Sequence, residues 1–282
     1  MSTVAVETIA AMRERVAAAR AEGRTIGLVP TMGALHAGHI RLIQRARPEC
    51  GCVVATLFVN PIQFNRGEDF ANYPRTLAHD LAVCNERGVD YLFLPSVEEM
   101  YPVPQRSFVE VEKVSEQLCG KFRAGHFRGV ATVVLKLFNI IQADRAYFGE
   151  KDAQQLAAIR RMVRDLNVPI EIVGVETVRE ADGLALSSRN QRLNATERQA
   201  ARVLFRALNT ARELIRRGEV DCRLIRESAI REFEAEPLVK LEYFEVAEPD
   251  EMQPLTTVAG PVRVATAAWV GGVRLIDNVG AP

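Results

Sequence analysis

From Thr25 to Arg45 the chain reads TIGLVPTMGALHAGHIRLIQR, and the fold of this stretch decides what can surround it. Thr25–Pro30 is a short β-rich apolar run that predicts a buried strand, and the spacing after it predicts a helix starting at Gly38. A strand that passes through a glycine-containing loop into a helix is the first step of an α/β unit. The alternation continues. Residues 40–47 read as helix, 52–60 as strand, 76–88 as helix closed by Gly88, and 89–95 as strand ended by its proline. Residues 129–142 then read as helix, 145–149 as strand, 152–166 as helix with Leu156, Ile159, Val163 and Leu166 on one face, and 169–175 as strand. Upstream, Val6, Ile9, Met12, Val16 and Ala19 predict an amphipathic helix over residues 3–20. Strands alternating with helices imply an α/β, doubly wound, Rossmann-like parallel sheet covered on both faces.

After Val178 the pattern changes. Residues 179–194 form a polar, glycine-containing connector to a long helix expected over 195–217 and stopped by Gly218. A helix near Cys222–Glu234 and strands over 241–247, 262–270 and 273–278 follow, which suit a short antiparallel sheet. The expected organisation is a first domain over 1–180 and a smaller C-terminal α+β domain over 181–282 that closes over the first domain's site.

A chain of 282 residues that is 48% hydrophobic can bury one large core or two modest ones. Lys plus Arg equals Asp plus Glu at 36 each, so no overall field draws this surface to nucleic acid or to an anionic membrane. Glu7, Arg13, Glu14 and Arg15 interrupt any leader-like apolar stretch, and no later apolar run approaches a membrane span. The five cysteines are odd in number and scattered, as expected of reduced thiols in a cytoplasmic protein.

Four stretches carry side chains suited to chemistry. In residues 30–39 the loop after the first strand would lie at the carboxyl edge of the sheet, with the following helix aimed at it. Helix-start amides carry positive partial charge there, Gly33 and Gly38 let backbone come close, and His36 and His39 each add a donor toward the same point. That pattern favours phosphate over zinc, because a metalloprotease helix spaces its histidines four apart with an adjacent glutamate. Solvated loop histidines are the plainer alternative. In residues 147–156, Lys151 would stand at the edge of another strand, where a fixed cation suits a polyphosphate; Asp152 and Gln155 have capping-box spacing. Residues 184–190 offer Ser187 and Ser188 hydroxyls and the Arg189 fork to phosphate oxygens, or simply a linker. In residues 58–64, Asn60 and Gln63 lie between aromatic side chains, a mixture that fits a small substrate with hydroxyls on an apolar body.

Together PTMGALHAGH (30–39), FVNPIQF (58–64), YPRT (73–76), GHFRGVATVV (125–134), FGEKDAQQL (148–156) and DGLALSSRN (182–190) resemble the pantothenate synthetase family, the pantoate–β-alanine ligases, over about Val29 to Asn278. HAGH alone is similar to the wider HIGH-type nucleotidyltransferases, class I aminoacyl-tRNA synthetases included; FVNPIQF and GHFRGV resemble this family specifically. The resemblance implies that ATP and pantoate form pantoyl adenylate and pyrophosphate, and that β-alanine then displaces AMP to give pantothenate. It implies an ATP site of Met32, Gly33, Ala34, Leu35, His36, Ala37, Gly38, His39, Gly149, Glu150, Lys151, Asp152, Val178, Leu186, Ser187, Ser188 and Arg189. Gln63 and Gln155 would hold pantoate, Gln63 also bordering β-alanine, with Phe58, Asn60, Phe64, Val133 and Val134 as the supporting pocket. His39 corresponds to the family's proton donor; with it, His36, Lys151, Ser187, Ser188 and Arg189 are candidate fixed donors to the growing phosphate charge, His36, Lys151 and Arg189 being the other candidate catalytic groups. Cys119 and Ala124 depart from the glutamate and proline common at those positions.

Pantoate's carboxylate is ionised at neutral pH, so its attack on the α-phosphorus requires no general base; charge repulsion is the obstacle, and fixed donors relieve it. Mg2+ is expected to be held through nucleotide phosphates and water, with no dedicated protein metal site. A mixed anhydride must be shielded from water, and Asn65–Thr76, polar and next to the pantoate motif, is the expected gate. The family also implies a homodimer. Three rivals are a tRNA-synthetase fragment, a non-catalytic nucleotide-binding regulator and a zinc hydrolase on His36 and His39. Balanced charge and the short region after the sheet leave little to grip tRNA.

Overall fold

Val4–Val6 (β1), Ile26–Thr31 (β2), Cys52–Leu57 (β3), Tyr91–Phe93 (β4), Arg145–Gly149 (β5) and Glu171–Val175 (β6) form one sheet in the computed structural model, ordered β1-β4-β3-β2-β5-β6. The structure describes residues 2–64, 70, 71 and 73–282. Every pairing in that sheet is parallel, and β2 and β3 are buried almost throughout, which explains why they read as continuous apolar runs. From β2 the strand order runs one way through β3 and β4, and the other way through β5 and β6. The reversal between β2 and β5 is the switch point at which such sheets open a crevice beyond their carboxyl ends.

The connecting helices are Ile9–Ala21 (α1), Ala37–Glu49 (α2), Leu77–Glu86 (α3), Val97–Met100 (α4), Cys119–Phe122 (α5), His126–Ile141 (α6) and Ala153–Asp165 (α7). Leu42, Ile43 and Ala46 of α2 and Val83 and Cys84 of α3 share a core with Val29, Val53, Ala55 and Tyr147. By strand alternation Leu28 and Val54 point the other way, and α1 and α6 pack together and against β2.

The second compact unit comprises residues 112–122, 151–157 and 177–282; the first comprises 1–111, 123–150 and 158–176. The chain changes unit between Glu176 and Thr177, and two shorter segments also belong to the second unit. Its sheet is antiparallel, Val239–Ala247 (β7), Val262–Val270 (β8) and Val273–Ala281 (β9), with a register shift between Leu241 and Tyr243. Ala195–Ala200 (α8), Val203–Arg216 (α9) and Cys222–Glu234 (α10) accompany it. Leu204 and Leu208 of α9 and Ile225 of α10 form its core with Phe244, Val264 and Leu275.

Two expectations are corrected. The helix expected over 3–20 begins only at Ile9, because Thr8 caps it by accepting from Ala11 N, while Val4–Val6 pairs with Tyr91–Phe93 as an edge strand. The long helix over 195–217 is two helices. Asn194 and Glu197 form a reciprocal capping box at its start, and the chain tightens at Ala201 and Arg202, where Leu204 N bonds back three residues to Ala201 O.

Among the described residues no helix is long and apolar enough to cross a membrane. All five cysteines are buried and unpaired. Burial pushes the Cys52 thiol up to about 11 and the Cys84 thiol up to about 12, Asp80 adding to the latter. Because the thiolate is the reactive form, neither should be alkylated by iodoacetamide at pH 8 in the native protein, and both should react once it is unfolded. Peptide mass mapping checks this, and native labelling of either would contradict the packing described.

Candidate active site

On the first unit the site grows from the end of β2. Thr31 donates to Thr56 O (2.6 Å) and accepts from Gly33 N (3.2 Å), which turns the chain out of the strand. Gly33 has φ +88°, and Ala34 follows at φ 52°, a left-handed conformation that costs a residue with a Cβ about 1 kcal/mol or more. Asp80, on α3 and wholly buried, holds that turn. Its carboxylate accepts from Ala34 N (3.0 Å), Leu35 N (2.8 Å) and the Thr76 hydroxyl (3.1 Å).

The loop delivers His36 to the N-cap of α2, which starts one residue earlier than expected. His36 Nδ1 accepts from Gly38 N (3.1 Å) and His39 Nδ1 accepts from His36 N (3.3 Å), so the two imidazoles form a reciprocal capping box with ring centroids 4.2 Å apart. An imidazole whose Nδ1 accepts a hydrogen bond is neutral and carries its proton on Nε2. Each ring therefore keeps its proton on Nε2, and both rings stand at the start of the helix, where the backbone amides carry positive partial charge.

The polar pair in residues 58–64 is equally fixed. Pro61–Gln63 is a 3-10 turn after β3, and Asn60, 1% exposed, donates through Nδ2 to Gln63 Oε1 (3.0 Å) and to Gly129 O (3.2 Å). Tyr101 donates its hydroxyl proton to Asn60 Oδ1 (2.8 Å), and burial raises the Tyr101 phenol, keeping that donor protonated. With Oε1 occupied, Gln63 turns its Nε2 toward Met32 Sδ, 3.1 Å away. Its amide N–H groups thus meet the loop that carries the histidines. α6 seats this turn: His126 Nδ1 lies 2.9 Å from Gln63 O, and a Cβ on Gly129 would stand 2.5 Å from Ile62 O. Val133 and Val134 lie buried on the same helix, and Phe58 is buried against Tyr101. Phe64 packs against Phe70 and Tyr73 at 5.7 and 6.1 Å. Of the expected gate, residues 65–69 and 72 lie outside the described residues.

β5, beside β2 at the switch point, ends at Gly149. The 3-10 turn Glu150–Asp152 carries the chain into α7, and Asp152 closes that turn.

On the second unit Lys151 has a side chain 17% exposed, with Nζ 3.8 Å from Asp152 Oδ1; Gln155 is half-buried on the first turn of α7. Its neighbour Gln154 clamps another segment, accepting from Cys119 N (3.0 Å) and donating to Val114 O and Gln117 O (2.7 Å each). Val178 and Leu186 meet directly through the Leu186 N to Val178 O bond (2.9 Å). Ser187 then caps the 3-10 turn Ser188–Arg192 by accepting from Arg189 N (3.3 Å), so Ser187, Ser188 and Arg189 ride on one short turn. Arg179 pairs through both terminal nitrogens with Asp277 (2.7 and 2.9 Å), and Asn278 Nδ2 donates to Lys151 O (2.9 Å). Burial drives the Asp277 carboxyl above the usual range, against the pull of Arg179, the Asn278 N–H and Lys151. Among the described residues no three His, Cys, Asp or Glu side chains gather as a metal site.

The profile of the Pantoate-beta-alanine ligase family matches residues 4–280. The chain belongs to this family. It is an enzyme, a ligase of pantothenate biosynthesis. The pantothenate synthetase of Moorella thermoacetica is 53% identical over 97% of each chain, and that of Heliobacterium modesticaldum 56% over 92% of each. The crystal structure of pantothenate synthetase from Thermus thermophilus superposes with a TM-score of 0.93 at 46% identity, covering 98% of this chain and 99% of that one. A ligase from Francisella tularensis, solved in complex with β,γ-ATP and β-alanine, has a TM-score of 0.81 at 34% identity over 99% and 97% of the two chains.

For this ligase the structure also supplies residues that no motif in the sequence marks. Asp80 is an acid on an otherwise apolar helix face, three residues before Val83 and four before Cys84, and that misplacement is the one visible signal. Asp277 and Asn278 are residue types depleted from strands yet standing inside one, a weak signal of the same kind. Tyr101 carries none, its partner being set by packing alone, whereas His126 lies within GHFRGV but its bond to Gln63 O is not readable from that motif.

Proposed function

We propose that the enzyme activates pantoate with ATP as pantoyl adenylate, releasing pyrophosphate, and then transfers the pantoyl group to β-alanine with release of AMP. The observation that carries this reading is the His36–His39 capping box, which commits both Nδ1 atoms as acceptors and so makes each Nε2 a neutral N–H donor at a helix start on the switch-point edge. Anionic oxygens are what such an edge favours. The Francisella relative's complex with β,γ-ATP and β-alanine supports the same substrates here.

In the first step the pantoate carboxylate attacks the α-phosphorus while the bond to the β,γ-pyrophosphate breaks. Negative charge grows on phosphorus oxygens and on the leaving group. His36, His39, Lys151, Ser187, Ser188 and Arg189 are the donors proposed to meet it, each supplying about 3 to 4 kcal/mol of barrier lowering when correctly aimed. Arg189, half-buried, has no carboxylate partner among the described residues, which suits a guanidinium kept for an anion. Gln63, whose Oε1 accepts from Asn60 and whose Nε2 has a second N–H besides the one directed at Met32 Sδ, is proposed to offer that N–H to pantoate, with Gln155 as the second amide. Asn60, Phe58, Phe64, Val133 and Val134 shape the pocket. Main chain at Met32–Gly38, Gly149 and Glu150, with Asp152, Val178 and Leu186, is proposed to complete the nucleotide site. Mg2+, which neutralises phosphate charge when bound, would be held through nucleotide oxygens and water. In the second step the neutral β-alanine amine attacks the carbonyl carbon of the mixed anhydride, the carbon–oxygen bond to AMP breaks and the amine nitrogen sheds its proton to water. His39, the counterpart of the family's proton donor, is proposed to hydrogen-bond the departing phosphate through Nε2–H.

We further propose a cytoplasmic homodimer, a location that the unpaired cysteines suit.

The test is exchange of labelled pyrophosphate into ATP with β-alanine left out. Exchange should require pantoate and appear at a rate at or above overall turnover. ATP binding with no exchange would overturn the adenylate and leave a nucleotide-binding protein.

A further inference from the structure

Lys151 is proposed as a cation for the nucleotide's phosphates, and the role inferred for its anchor rests on that proposal. A lysine alone is a poor fixed charge, since its ammonium rides on a flexible four-carbon stem with much rotamer freedom to lose. The carboxylate of Asp152 is 3.8 Å from Nζ, beyond hydrogen-bond length, so it does not aim the ammonium. The main chain of Lys151 sits in a turn of three residues between β5 and α7. What grips that turn comes from the last strand of the chain: Asn278 Nδ2 donates to Lys151 O at 2.9 Å, across 127 residues of sequence.

We infer that Asn278 is a positioning residue for adenylation, fixing the main chain of Lys151 and thereby the volume its ammonium can reach.

The Asn278 amide is itself fully constrained. Oδ1 accepts from Arg263 Nη1 (3.1 Å), the main-chain oxygen accepts from Arg179 Nη2 (3.0 Å), and the main-chain N–H donates to Asp277 Oδ1 (2.7 Å). Arg263 can only donate and Lys151 O can only accept, so the side-chain amide has a single orientation. Asp277, 2% exposed, is locked by Arg179, which also donates to Gly183 O (3.0 Å). Arg179 follows Val178, whose carbonyl is bonded to Leu186 N just before the Ser187–Arg189 turn. One network therefore sets both phosphate-directed turns of the second unit. Within it β9 is already held by the Arg179–Asp277 pair, which leaves the Asn278–Lys151 bond with a role in placement.

Asn278→Asp keeps an acceptor for Arg263 and replaces the donor to Lys151 O with a carboxylate oxygen. In pantoate-dependent pyrophosphate–ATP exchange its kcat should fall roughly 10- to 100-fold, since misplacement near 1 Å costs on that order. The KM for pantoate should stay within about two-fold and Tm within about 3 °C of the parent. Added to Lys151→Ala, the substitution should lower exchange by less than about two-fold further, because a residue acting through Lys151 has nothing left to aim. A multiplicative further loss would make Asn278 a scaffold residue and overturn the inference. So would exchange by Asn278→Asp within two-fold of the parent; if Lys151→Ala is inactive in the same assay, the reading of Lys151 survives. Parental exchange by Lys151→Ala would overturn both. Should Asn278→Asp not fold, Asn278→Ala is scored by the same criteria, and failure of both to fold marks a staple and ends the proposal.

Discussion

His39→Asn is expected to lower the rate of adenylation by roughly 10²- to 10³-fold while leaving the fold intact. The outcome turns on which nitrogen does what. His39 Nδ1 accepts from His36 N, and the Asn Oδ1 can occupy that place and keep the capping box closed. Nothing in asparagine reaches the position of Nε2, so the donor proposed to meet developing phosphate charge is removed by itself. Asparagine and histidine have similar helix propensities, so stability should stay within about 0.5 kcal/mol. His39→Ala, by contrast, removes donor and cap together and should cost about 1 kcal/mol of stability besides the activity. Single-turnover formation of pantoyl adenylate, with urea unfolding alongside, separates the two effects. A His39→Asn enzyme within three-fold of the parent would leave His39 a capping residue and nothing more.

Asp80→Ala should have the largest effect on stability. The carboxylate satisfies the part-buried amide of Ala34 and the buried amide of Leu35, and without it both donors lose their partner. Each unsatisfied donor costs about 1 to 3 kcal/mol, so a loss of about 3 to 5 kcal/mol is expected with the cavity included. The loop is also where function would suffer. Ala34 holds a left-handed backbone that its own side chain disfavours, and Asp80 opposes its relaxation. Released, the loop would carry His36 out of its cap, and the surviving folded enzyme should adenylate at least ten-fold more slowly. A urea midpoint unchanged within error would contradict this.

The distance between partners decides which features are legible in sequence and which are not. Strands β2 and β3 stand out because a parallel sheet buries both their faces and so collects unbroken apolar runs, while β5 and the half-buried edge strand β6 are marked by the shorter runs Ala146–Phe148 and Ile172–Val175. Val4–Val6 hides because three residues are too few to interrupt the helical spacing that Ile9, Met12 and Val16 carry on. The motif residues can be found because each group lies within one loop, His36 with His39 and Ser187 with Arg189. Their supports lie far away in the chain: Asp80 is 45 residues from Leu35, and Asn278 is 127 from Lys151. No local pattern encodes such a bond, and only a polar residue on an apolar face hints that one exists. The tautomers are hidden for a different reason. HxxH suggests two donors, but which nitrogen donates depends on the cap that Nδ1 makes, a matter of backbone geometry at the end of β2.

The most direct measurement is the fate of oxygen in pantoate labelled with 18O in its carboxylate. Attack on the α-phosphorus followed by acyl transfer to β-alanine must leave one labelled oxygen in AMP and none in pyrophosphate. Label in orthophosphate, with ADP as the nucleotide product, would mean that an acyl phosphate is formed instead and that fixed donors around the α-phosphorus are not how this enzyme works.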